Sequence, residues 1–181
     1  MKKLWITVAV VTLLEVIVMA EGFQLNFQTS PRGWIFRRGD EFGPGVQGNF
    51  KVIKFEGDAV GCLTGDFTKG GVYVAVYKHL PPRVNLKTMT ITLKAQGLHA
   101  AKIQITDSTG QTFQHKFSIS RPDEWNEIKL NSPQFPEFWG GAKDGKWHGP
   151  VKTIGLILDK GGLANGIKDA KLFIRSITIE E

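Results

Sequence analysis

Apolar side chains recur at every second position in one stretch after another of this 181-residue chain, and a period of 3.6 appears almost nowhere. Val72, Val74 and Val76 alternate with Tyr73, Ala75 and Tyr77; Ile91 and Leu93 alternate with Thr90, Thr92 and Lys94. A chain patterned this way folds into strands that bury one face and expose the other. Ile103 and Ile105 flank Gln104, and a turn falls at Asp107-Ser108-Thr109-Gly110. Phe113, Phe117 and Ile119 then alternate with Thr112, Gln114, Lys116 and Ser118, which predicts a β-hairpin. Further strands are expected at residues 125–130 (WNEIKL), 153–158 (TIGLIL) and 172–179 (LFIRSITI), with candidates at 23–27, 50–55 and 59–63.

Eight to ten short strands, punctuated by 21 glycines and 8 prolines, predict an all-β antiparallel sandwich. Residues 33–48 and 132–150 are expected as long surface loops, the second crossing from WNEIKL to TIGLIL. Cys62 is the only cysteine, so no disulfide forms within the chain, and its place between Gly61 and Leu63 predicts a buried thiol.

The first twenty residues are expected to stand apart from this domain. Lys2 and Lys3 precede an apolar run at residues 4–14, and Val18 and Ala20 are small residues before a cleavage point after Ala20. This is the pattern of a secretory signal peptide. As a retained anchor the segment would place Glu15 within the bilayer, at a cost of about 2.5 kcal/mol or more. Cleavage without stable membrane insertion is the expectation, giving an extracellular, periplasmic or cell-surface protein. Residues 21–181 are then long enough for one two-layer domain.

The net charge is +6, and +5 once two lysines and one glutamate leave with the leader. That balance could suit an acidic polymer, but no cluster of Lys and Arg marks a nucleic-acid partner. No catalytic residues are assigned. Most acids lie in turns, there is no G-x-S-x-G elbow, and the four histidines at 79, 99, 115 and 148 are scattered singly. His115 shares the inward register of Phe113 and Phe117, so a core position is expected for it. Tyr77, His79, His115, Lys116 and Arg37 supply the residue types of a polysaccharide lyase without forming a lyase motif.

The order of KGGVYVAVYKHL, MTITLKAQG, AKIQITDSTGQTF, EWNEIKL, VKTIGLIL and a terminal strand resembles the jelly-roll carbohydrate-binding modules of the galactose-binding-like superfamily. The resemblance runs from about Phe50 onward and implies a jelly-roll sandwich that binds a glycan or polysaccharide without changing it, in some cases beside a separate carbohydrate-active enzyme. It also implies a structural calcium site on an Asp-Asp pair in the last strand. Here Arg175 and Ser176 stand at that place, and a guanidinium repels such an ion. The remaining candidate ligands, all weak, are Asp40, Glu41, Glu56 and Asp169.

A pyranose needs a flat aromatic ring for its C–H face and planar polar groups for its hydroxyls. Trp125 opens a strand and is expected in the core, while Trp34 suits either a core or a loop position. Trp139 and Trp147 lie in the glycine-rich loop WGGAKDGKWHGP and are the candidate platforms, with Lys143, Asp144 and His148 to meet hydroxyls. The alternative for each is a ring folded back as a plug over one end of the sandwich, and Trp147, beside two polar neighbours, is the better placed of the two as a platform. A second candidate surface is a polar sheet face carrying Thr90, Thr92, Lys94, Lys102, Gln104, Thr112, Gln114 and Lys116, of which Gln104, Gln114 and Lys116 best suit a groove. The expected function is a secreted glycan-binding domain. A small lyase or hydrolase and an adhesion domain that binds protein are the alternatives.

Overall fold

The computed structural model describes residues 22–29, 32–131 and 135–180. The expected leader, residues 1–20, lies outside the described residues. Twelve strands follow one another as β1 Phe23–Asn26, β2 Trp34–Arg38, β3 Gln47–Phe55, β4 Asp58–Asp66, β5 Tyr73–His79 and β6 Thr88–Gln96. Then come β7 Ala100–Thr106, β8 Thr112–Ser118, β9 Trp125–Asn131, β10 Glu137–Trp139, β11 Thr153–Asp159 and β12 Asp169–Glu180. They form two six-stranded antiparallel sheets. One has the order β3-β4-β12-β6-β9 with β1 added against β12, and the other β10-β8-β7-β11-β5-β2.

The alternation decides which residues lie between the sheets. Ile91, Leu93, Leu172 and Ile174 face inward from the first sheet, and Val74, Val76, Ile103, Ile105, Leu156 and Leu158 from the second, all fully buried. Each such aliphatic side chain contributes about 1.5–3 kcal/mol by leaving water. Gly61 makes room at the sandwich edge, where a β-carbon would stand 2.4 Å from the Phe27 ring. Phe27 thereby stacks on Trp34 at 5.1 Å between centroids, which puts Trp34 against the core.

Three expectations are corrected. Both predicted loops contain a strand: β2 lies within 33–48 and β10 within 132–150, each an edge of the second sheet. Trp125 is not between the sheets, but half-buried on the outer face of the first, edge-on to Phe55 at 6.4 Å. The polar face expected as one surface is divided between two. Thr90, Thr92 and Lys94 belong to β6 in the first sheet, whereas Lys102, Gln104, Thr112, Gln114 and Lys116 belong to β7 and β8 in the second. Cys62 is buried as expected, packed with Val60 and Phe173, and burial pushes its thiol pKa up.

Candidate functional site

The outer face of the second sheet is organised by register. Ile35, Tyr77, Gly155, Gln104, Gln114 and Glu137 stand opposite one another across all six strands. Because side chains alternate, this whole row points away from the core. Gly155 shapes the middle of it: a β-carbon there would meet the Tyr77 ring at 2.4 Å. With none present, the phenol crosses β11 and its hydroxyl donates to Gln104 Oε1 at 2.9 Å. Gln104 Nε2 donates to Gln114 Oε1 at 2.8 Å, and Gln114 Nε2 donates to Glu137 Oε2. The row is therefore a chain of hydrogen bonds with one direction, ending on a carboxylate.

A parallel row of His79, Thr153, Thr106, Thr112 and Trp139 runs beside it. Thr106 and Thr112 share a hydrogen bond of 2.9 Å, and Thr153 bonds His79 Nδ1 at 3.0 Å. On the other side run Arg37, Ala75, Ile157, Lys102 and Lys116. Over this floor lies a cavity of about 670 Å³. Phe42 and Trp139 both line it and are 68% and 46% exposed, well above the usual for such large rings. Phe42 is presented by the single helical turn Asp40–Phe42, with its ring 6.0 Å from that of Tyr73. Trp139 is presented by β10, paired with β8.

The charges of the cavity are largely paired. Lys102 Nζ lies 2.7 Å from Asp159 Oδ2, and Asp159 is only 6% exposed, with Oδ1 buried and without a hydrogen-bond partner. Tyr73 donates to Glu41 Oε1 at 2.5 Å. That bond is the main cause holding the Glu41 carboxyl below the usual range, while burial first and Glu41 second push the Tyr73 phenol up. Burial raises Tyr77 as well. Both phenols are thus hydroxyl donors at neutral pH.

The predicted loop residues occupy different places. Trp139 lines the cavity, whereas Trp147 is half-buried and packs on Phe113 with centroids 5.6 Å apart. Asp144 accepts from the Lys146 backbone N–H at 2.9 Å, which chiefly holds its carboxyl below the usual range, and pairs with His148 Nε2 at 3.0 Å. Lys143 is exposed on a left-handed turn at φ 58°. Buried Gln111 fastens this loop, donating to Lys146 O at 2.8 Å and accepting from the Gly145 N–H at 3.3 Å. Buried Asp107 accepts from the His148 backbone N–H at 3.2 Å. Gln104 and Gln114 line the cavity, and Lys116, next in register to Lys102, donates to Gly161 O at 3.2 Å. His115 is half-buried under Phe135, the rings 5.2 Å apart.

The candidate calcium ligands have other engagements. Asp40 pairs with Arg38 at 3.1 Å, Glu41 accepts from Tyr73, and Glu56 binds Lys94 at 2.8 Å and the Trp125 indole N–H at 2.7 Å. Asp169 stands opposite Asp66. Among the described residues, no three His, Cys, Asp or Glu side chains come together as a metal-binding group. Arg175 sits 3.0 Å from Asp58 and 3.9 Å above the Trp125 ring, so the place of the Asp-Asp pair does not fit a hard cation.

The cavity is lined by residues that sequence spacing did not single out for it, Glu41, Phe42, Tyr73, Tyr77 and Asp159, and Glu137 stands at the end of the row beside it. The available signal was the two tyrosines of the chain, both on the polar side of the alternation in VYVAVY.

Neither a protein-family model nor a curated protein sequence matches the chain. Solved structures do. The family 11 carbohydrate-binding module of a cellulosomal cellulase of Clostridium thermocellum superposes with a TM-score of 0.64 at 13% identity, over 88% of this chain and 95% of that one. The Clostridium thermocellum family 11 module in complex with a β-1,3-1,4-mixed-linked tetrasaccharide gives the same values. A protein described for promiscuous specificity among β-sandwich carbohydrate-binding modules matches with a TM-score of 0.54 at 16% identity, over 86% of this chain and 60% of that one. The architecture and these superpositions agree, and the chain has the β-sandwich fold of the carbohydrate-binding modules.

Proposed function

We propose that this protein is a secreted, non-catalytic glycan-binding domain whose site is the groove on the outer face of the second sheet. The carrying observation is a pair of exposed rings, Phe42 and Trp139, over a floor of hydrogen-bonded amides. A sugar ring places its C–H face on the Trp139 indole. Its hydroxyls meet Gln104, Gln114 and the neighbouring threonines, each of which can both donate and accept. The floor is held by its own hydrogen bonds before ligand arrives, which lowers the ordering cost of binding. A chain so held can serve a separate carbohydrate-active enzyme.

A lyase reading draws less from the same geometry. A tyrosine base works as phenolate, and the environments of Tyr73 and Tyr77 favour the protonated form. A hydrolase needs one carboxylic acid kept protonated, while Glu41 is held ionised.

Retention on polysaccharide gels tests the reading. Trp139→Ala and Phe42→Ala, each with an unchanged circular dichroism spectrum, should each weaken retention at least about tenfold, equivalent to about 1.4 kcal/mol. Undiminished retention in both variants would sink the groove as the site.

A further inference from the structure

We infer that the groove selects an uncharged glycan over an acidic one, an inference that rests on the glycan-binding reading above. The net charge of +6 suggests the opposite, a uronate-bearing or sulfated polymer. The groove does not share that excess. Glu41, Asp159 and Lys102 line it, and Glu137, Arg37 and Lys116 stand on the same sheet face beside it, three carboxylates against three cations.

Two of the three cations are already engaged. Lys102 is spent on Asp159 at 2.7 Å. Lys116 Nζ reaches the Gly161 carbonyl at 3.2 Å. Arg37 acts on Glu41 only at longer range, the smallest of the effects that lower that carboxyl. An incoming carboxylate or sulfate would therefore meet as many fixed acids as bases, with two of the three bases already drawn to an acid or carbonyl.

Hydroxyls fare differently. The hydrogen bonds run from Tyr77 through Gln104 and Gln114 to Glu137, so each glutamine nitrogen spends one N–H on the row and has a second. Glu41 and Glu137 each accept one bond through one oxygen and have further acceptor capacity. The floor thus offers N–H donors and the rims offer carboxylate acceptors. A hydroxyl can answer both, whereas a carboxylate or sulfate group in its place can only accept.

The test is calorimetry on the full folded protein with neutral polysaccharides, polyuronates, their carboxyl-reduced neutral counterparts and sulfated glycans, at 50 and 500 mM NaCl. The expected result is tightest binding to a neutral glycan, at least tenfold above any acidic one. The neutral affinity should change less than twofold with salt and fall at least tenfold in Trp139→Ala. Preference for a polyuronate or sulfated glycan, weakened by salt and lost in Trp139→Ala, overturns the charge selection while leaving the groove as a glycan site. Absence of binding to any glycan, or binding indifferent to Trp139→Ala and Phe42→Ala, overturns the glycan-binding reading itself and this inference with it.

Discussion

The Tyr77 ring lies across the backbone of Gly155, where any β-carbon would come within 2.4 Å of it, and this contact lets a residue of β5 reach Gln104 two strands away. Gly155→Ala must push the ring aside and break the first link of the hydrogen-bonded row. Thermal unfolding should show a loss of about 1–3 kcal/mol, the usual cost of overpacking a close contact. Glycan retention should fall as well, because the floor loses its set direction. Unchanged stability and retention would mean that the ring is free to move.

Trp139 and Trp147 should separate cleanly. Trp147 packs on Phe113 and the core, so Trp147→Ala is expected to cost about 2–4 kcal/mol in chemical denaturation, a little below a full core truncation. Trp139 is exposed at the edge of the sheet, and Trp139→Ala should change stability by no more than about 0.5 kcal/mol while weakening retention. The opposite assignment of the two losses would contradict the site.

Stability should decline on both sides of neutrality. The Glu41, Glu56 and Asp144 carboxyls are held below their ordinary values of 4.5, 4.5 and 3.8. Their unfolded forms bind protons first, so their stabilisation is present above those values and is lost as pH falls through the lower folded ones. Tyr73 and Tyr77 are raised above 10.0, so their contribution is present below that pH and is lost as pH rises through the folded values. Melting temperature between pH 3 and 11 should form a plateau with both shoulders. In Glu41→Gln the acid shoulder should be shallower; an unaltered acid shoulder would count against the Tyr73 contact.

A chelator should leave melting unchanged, because Arg175, Asp58 and Trp125 fill the place where the fold resemblance implies calcium ligands. Arg175→Ala should cost about 1 kcal/mol, combining an exposed ion pair with a cation–π contact. A drop of several degrees on chelation would show that a metal is bound elsewhere.

The sandwich was legible because strands buried on one face write their period into the sequence, as β5 to β8 do. The two edges that complete the groove were not. In β2 the run Trp34-Ile35-Phe36 is continuously apolar, and β10 has only three residues, too few to show a period. Between Trp139 and Trp147 the polar neighbours favoured Trp147, because within one glycine-rich stretch nothing local shows which ring is packed. What separates them is tertiary, the pairing of β10 with β8 and the fall of Trp147 onto Phe113. Glu41, Phe42 and Asp159 reach the cavity from turns and strand ends distant in sequence, a convergence that no local spacing encodes.

The most direct test of the groove is an NMR titration of the labelled protein with a neutral oligosaccharide that it retains. The side-chain amides of Gln104 and Gln114 and the indole N–H of Trp139 should shift together and saturate at one Kd. Shifts gathered on Trp147, Lys143 and His148, with the two glutamine amides unmoved, would contradict the account.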